Sequence, residues 1–249
     1  MNKHLKILME PEEIVNFLKS EIKLKDICIN IASQKIIEKV AQEKGINVTT
    51  EEIEIEADRQ RREKRLEKAS DTVRWLEQEM LAPLDWEVGI RNRLLTQKLA
   101  LALFAKEVEQ FFMQNRLEFE QVILYQFVVK DEKLAQELYY QIEEGEICFY
   151  QAARVHDIDE NRRYKCGYEG KMYRWAISPE IVALVFNAPQ KQLVGPIKTE
   201  HGYHLFIVED YIPAELTPKR YEEILYNMFQ YWLNAEVNYM YYNFELSIL

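Results

Sequence analysis

The sequence predicts an α+β protein: a long helical stretch, then a compact mixed unit, then a closing helix. Three observations carry this. Glycine and proline are sparse in the first 120 residues, which favours long helices, whereas five of the seven glycines fall between Gly145 and Gly202, which favours strands and turns. The apolar period changes near residue 120 from helical to strand-like. After Thr217 it changes back: Tyr221, Ile224, Leu225, Met228, Phe229, Trp232 and Leu233 recur at three- and four-residue spacing. That broad apolar stripe has no neighbour in sequence to cover it, so it must pack elsewhere.

Each element follows from local signals. Between Pro11 and Lys44 the apolar residues keep helical spacing, broken near Glu21 to Asp26, and Gly45 stops the helix. Thr49 with Glu52 three residues later is a capping box. The helix it opens is nearly all charge and is expected to be solvated. Ser70 or Asp71 caps a short helix that Pro83 ends, and a long helix follows from Asp85, with Leu95, Leu99 and Phe112 along it. "QVILYQFVVKD" is a strand rich in β-branched and aromatic residues. "EKLAQELYYQIEEGE" is a helix closed by Gly145, and "CFYQAARVHD" is a second, short one. "IDENRRYKCGYEGKMYRW" reads as an irregular polar loop. "SPEIVALVFNAP" is a third helix, capped by Ser178 with Pro179 behind it. "GPIKTEHGYHLFIVEDYIPAE" is a strand pair. The expected domains are 1–118, 119–214 and 215–249, the last packing on the first.

Composition excludes several function classes. With 249 residues, 48% of them apolar, the chain can bury a sizeable core in one large or two modest domains. A net charge of −10 repels phosphate backbones, so no nucleic-acid partner is expected. Cys28, Cys148 and Cys166 are odd in number, widely spaced and without a CxxC pair, so neither a disulfide framework nor a zinc site is indicated. No metal and no cofactor are expected. The N-terminal stretch lacks the apolar core of a secretory leader, and no run reaches the length of a membrane span. The expectation is a cytoplasmic protein without membrane insertion, a monomer or weak dimer.

The stretches "YQFVV", "LAQELYYQIEEGEICFYQAARVHDIDE" and "KCGYEG" fall within residues 122–213. Together they resemble the parvulin (rotamase) family of peptidyl-prolyl isomerases, in which a GGxLG-like turn stands at the place of "KCGYEG". The likeness is sharpest in "ISPEIVALVFNAPQKQLVGPIKTEHGYH", where Phe186, Val194-Gly195-Pro196, Thr199 and Gly202-Tyr203-His204 fall at family spacing. The flanks, "GINVTTEEIEIEADRQRREK" and "DWEVGIRNRLLTQKLA", resemble more loosely the helical regions of foldases of the SurA and PrsA type. In those proteins a helix after the parvulin unit returns to the N-terminal helices.

The resemblance implies a helical chaperone-like domain with an inserted parvulin domain, acting on unfolded or extended polypeptide at Xaa-Pro bonds. It implies that His204 is the second of two family histidines beneath the prolyl bond. Asp159 takes the place of the loop Cys or Asp, with Asp157 as the alternative register, and Thr199 is the hydroxyl beside the network. Ile177, Ile181 and Phe186 form the apolar wall that holds the proline. Gln126 stands where the first histidine is expected, and Glu169 replaces the apolar residue of the GGxLG turn. These departures imply reduced isomerase activity. Phosphopeptide-specific relatives carry a basic cluster after the first strand; Lys130-Asp131-Glu132-Lys133 is mixed charge, and "RRYK" at 162–165 reads as a solvated loop. The second reading is a chaperone or peptide-binding module with a catalytically degenerate parvulin domain, and a third dedicates it to one secretion or peptide-maturation system. Tyr231, Tyr239, Tyr241, Tyr242 and Phe244 are candidate client-binding aromatics.

Overall fold

The computed structural model describes residues 10–243, with side chains through Met240. The fold is α+β, as the sequence predicts. Two compact units emerge, one holding the residues up to Val108 together with those from Pro218 onward, the other Glu109–Thr217.

The first unit contains α1 (Pro11–Ser20), α2 (Leu24–Glu43), α3 (Thr50–Glu63), α4 (Ala69–Gln78), most of α5 (Pro83–Gln114) and α10 (Pro218–Asn243). Its core joins Ile36, Ile37 and Ala41 of α2, Leu95, Leu99 and Ala100 of α5, and Phe229, Leu233 and Val237 of α10. The C-terminal stripe therefore covers α2 and α5. The Tyr221 hydroxyl also donates to the Ala105 carbonyl at 3.3 Å. Thr49 and Glu52 form the reciprocal cap, Thr49 N–H to Glu52 Oε2 at 2.8 Å and Glu52 N–H to Thr49 Oγ1 at 3.3 Å, and α3 buries no residue. Two boundaries differ from expectation. α4 starts at Ala69 with Asp71 reaching back to the Lys68 N–H. Pro83 opens α5 rather than ending α4; its missing N–H costs nothing in a first turn, where that donor would be unpaired anyway. Tyr231 and Tyr239 are largely exposed. The side chains of Tyr241 and Tyr242, and the whole of Phe244, lie outside the described residues. Among the described residues no helix is long and apolar enough to cross a membrane.

The second unit is built on an antiparallel sheet of β1 (Gln121–Val129), β2 (Tyr168–Tyr173), β3 (Leu193–Thr199) and β4 (Gly202–Ile212), in the order β2-β1-β4-β3. The strand period of two separates its faces. Phe127 and Val129 of β1 with Leu205 of β4 pack against α6 (Glu132–Glu143) and α7 (Phe149–His156). Val122 and Leu124 with Phe206 and Val208 pack on the other face against Ile177, Ile181 and α9 (Val182–Asn187). Gln126 and His204 share this second face by alternation. Gly202 makes the tight turn into β4: its φ is +136°, and a Cβ there would lie 2.5 Å from the Val129 carbonyl oxygen, so only glycine fits.

The expected polar loop is largely structured. It contains α8 (Glu160–Tyr164), β2 and a 3-10 turn at Arg174–Ala176. β2 escapes sequence reading because it is a half-exposed edge strand with a glycine inside it and no apolar alternation. The helix expected from Ser178 begins later, at Val182, after a turn in which Ser178 Oγ accepts the Glu180 N–H at 3.4 Å.

Candidate functional site

A cavity of about 710 Å³ opens on the sheet face that carries Gln126 and His204. Its apolar wall is Leu124, Met172, Ile177 and Ile181; Gln126, His204, Asp159 and Arg162 supply its polar side. The strands set this arrangement. Val128 pairs with His204, and Gln126 with Phe206, so Gln126 and His204 are diagonal neighbours on adjacent strands.

His204 is 6% exposed. Its Nε2 shares a 2.9 Å hydrogen bond with Thr199 Oγ1, which also accepts the His201 N–H at 3.1 Å. Burial holds the imidazole below its ordinary pKa, and the Arg162 charge pushes the same way. Its Nδ1 is buried without a partner among the described residues. The neutral form is therefore the resting one.

Asp159 lines the cavity, but its carboxylate caps α8 by accepting the Arg162 N–H at 2.9 Å. That hydrogen bond is the main reason its pKa is lowered. Asp157, the alternative register, does not line the cavity; its side chain is 0% exposed. Asp157 takes a bidentate grip from Arg162, Nε to Oδ2 at 2.5 Å and Nη2 to Oδ1 at 2.8 Å, and accepts the Asp159 N–H at 3.0 Å. Phe186 belongs to the apolar cluster on the same sheet face but is not among the cavity-lining residues; the Arg174 guanidinium lies 3.9 Å over its ring.

The sequence gives no sign that Met172 and Leu124 line the site, and it marks Glu169 only as a departure from the family turn. Arg162 was read within a solvated loop, yet its side chain is only 14% exposed. A usable signal existed. Gln126 and Glu169 both depart from the family pattern, and paired departures are what a compensating contact looks like: Gln126 Nε2 donates to Glu169 Oε1 at 2.8 Å.

Residues 129–210 match the model of the rotamase family, described as the PPIC-type PPIASE domain. The chain carries a parvulin-type rotamase domain. Beyond that domain, the chain is 26% identical over 216 residues to the foldase protein PrsA of Caldanaerobacter subterraneus subsp. tengcongensis, covering 84% of this chain and 62% of the relative. It is also 26% identical over 120 residues to PrsA of Halalkalibacterium halodurans, covering 47% of this chain and 36% of the relative. The chain thus spans about three fifths, or less, of the length of these curated relatives. A crystal structure of PrsA from Bacillus cereus superposes with a TM-score of 0.47 at 17% identity, covering 96% of this chain and 90% of that one.

The buried neutral histidine of the rotamase domain gives a pH expectation with a definite sign. In the unfolded chain His204 titrates near 6.5; in the folded chain its pKa is lower. Below about pH 6.5 the unfolded state therefore binds more protons, so stability falls as the pH drops. Urea midpoints measured between pH 7.5 and 5.5 should fall more steeply for the native chain than for His204→Gln. Parallel curves would show that the imidazole is not held neutral by the fold.

Proposed function

We propose that the rotamase domain binds Xaa-Pro segments of extended polypeptide in this cavity and isomerises them, at a rate below that of a site with two histidines. One observation carries the reading: an apolar wall of Leu124, Met172, Ile177 and Ile181 faces a buried, neutral His204 bonded to Thr199. Rotation about a prolyl bond costs about 18–20 kcal/mol because the twisted amide loses resonance. No nucleophile is needed. An apolar slot for the ring and polar groups suited to the twisted amide lower the barrier, and about 4 kcal/mol is worth roughly a thousandfold. His204, held by Thr199, supplies the polar group, and Ile177 and Ile181 the slot. Phe186 packs against the cluster that contains Ile177 and Ile181, and Asp159 lines the cavity.

The second reading is a peptide-binding chaperone whose rotamase domain turns over little. Gln126 favours it, since an amide cannot change protonation state near neutrality. Exposed Tyr231 and Tyr239 on α10 supply contact area for clients at low side-chain entropy cost. A protease-coupled assay on Xaa-Pro peptides separates the two. Isomerisation is expected to be measurable but slow, to fall about tenfold in His204→Ala and to rise by about as much in Gln126→His, each a change near 1.4 kcal/mol in barrier. Absence of turnover in the native chain, alongside suppressed aggregation of an unfolded client, would favour the chaperone.

A further inference from the structure

A polar chain that the proposed reaction does not use reaches the cavity at Gln126 and Arg162, the two of its members that line it. It runs from Gln126 through Glu169 and Arg162 to Asp157. Its geometry begins with a register break. Tyr125 pairs with Tyr168 and Leu124 with Gly170, so Glu169 is the extra residue of a β-bulge on the edge strand β2. A bulge re-aims a side chain, and here the carboxylate meets Gln126. Glu169 Oε1 accepts from Gln126 Nε2 at 2.8 Å and from Arg162 Nη1 at 3.1 Å. The remaining reach of Arg162 is taken by its bidentate grip on buried Asp157.

An ionised carboxylate only accepts hydrogen bonds. Glu169 is ion-paired with Arg162 at 3.1 Å, so as an acceptor it meets the NH₂ end of the Gln126 amide. The Gln126 oxygen must then face away from Glu169. That oxygen is buried without a partner among the described residues, and so is His204 Nδ1. Both residues line the cavity. Buried polar atoms left unpaired are costly and mark places where a ligand completes the bonding.

We propose that Glu169, clamped by Arg162, is a positioning residue that sets the polarity of Gln126, so that the cavity floor presents an oxygen acceptor at this point rather than an N–H donor. Arg162 and Asp157 position Glu169 in turn. The inference rests on the isomerase reading for its kinetic consequence but not for its structural one. It also explains why the two departures occur together: without Glu169 the amide of Gln126 is free to turn over, and without Gln126 the bulge carboxylate loses a donor.

The test uses the full chain with Glu169→Leu, Glu169→Gln, Gln126→Ala and the double variant Gln126→Ala/Glu169→Leu. Against an Xaa-Pro peptide, Glu169→Leu is expected to lower kcat about tenfold with KM nearly constant, and to have little further effect in the Gln126→Ala background. Glu169→Gln keeps an acceptor oxygen and is expected to restore kcat to within about threefold of the native chain. Additive losses, or an unchanged kcat in Glu169→Leu, would overturn the proposal. A second readout is independent of turnover: hydrogen exchange of the Gln126 side-chain amide, followed by ¹⁵N NMR. It should be slow in the native chain and in Glu169→Gln, and fast in Glu169→Leu. Equal exchange in all three overturns the inference even if peptides are isomerised. Slow exchange without any turnover retains Glu169 as the residue that orients Gln126 and removes the isomerase reading.

Discussion

Arg162→Ala is expected to destabilise the rotamase domain by about 3–5 kcal/mol, the cost of leaving a buried charge without its partner. The stranded group is Asp157, whose side chain is 0% exposed and loses both guanidinium bonds. Two backbone donors remain to it, the N–H of Asp159 at 3.0 Å and that of Val128 at 3.4 Å, too few to replace a cation. Asp157→Asn in the Arg162→Ala background should recover part of the loss, because the amide oxygen still accepts the Asp159 N–H without carrying a charge. Urea midpoints of the three chains check this. A loss below about 1 kcal/mol, the scale of an exposed ion pair, would mean that Asp157 is hydrated.

Ending the chain at Thr217 is expected to unfold the helical unit. Phe229, Leu233 and Val237 are all 6% exposed or less and are the buried residues that α10 gives to this core. Truncations of large buried side chains cost about 2–5 kcal/mol each. Three together reach the roughly 5–15 kcal/mol that stabilises a typical domain. The uncovered surface of Ile36, Leu95 and Leu99 should then drive association. Light scattering and thermal melting of the shortened chain test this; a monomeric product with unchanged melting would mean that α2 and α5 hold together without α10.

Much of this architecture was legible because it rests on periodicity. The α10 stripe could be read as needing a remote partner, and β1 and β4 announced themselves through short runs rich in Val, Ile, Phe and Leu. The Gly202-Tyr203-His204 segment could be read through its resemblance. What escaped was governed by contacts instead of periods. β2 is short, half-exposed and interrupted by Gly170, so no apolar pattern marks it. Arg162 looks like one cation among several in "RRYK"; only the fold shows that it turns inward while Arg163 does not enter the network. Asp157 and Asp159 are two residues apart and chemically identical, and the sequence does not show that Asp159 caps the helix beginning at Glu160 while Asp157 pairs with Arg162. Glu169 reaches Gln126 through a bulge, which shifts register without any sequence signal beyond a nearby glycine.

The central claim is that a prolyl bond sits between the apolar wall and His204. The most direct measurement is NMR on the labelled full chain with an unlabelled Xaa-Pro peptide, read in two ways at once. Exchange cross-peaks between the cis and trans peptide forms should appear when the protein is added, and the resonances that move should be those of Leu124, Met172, Ile177, Ile181 and His204. Shifts confined to the helical unit, with no exchange between the two peptide forms, would contradict the account.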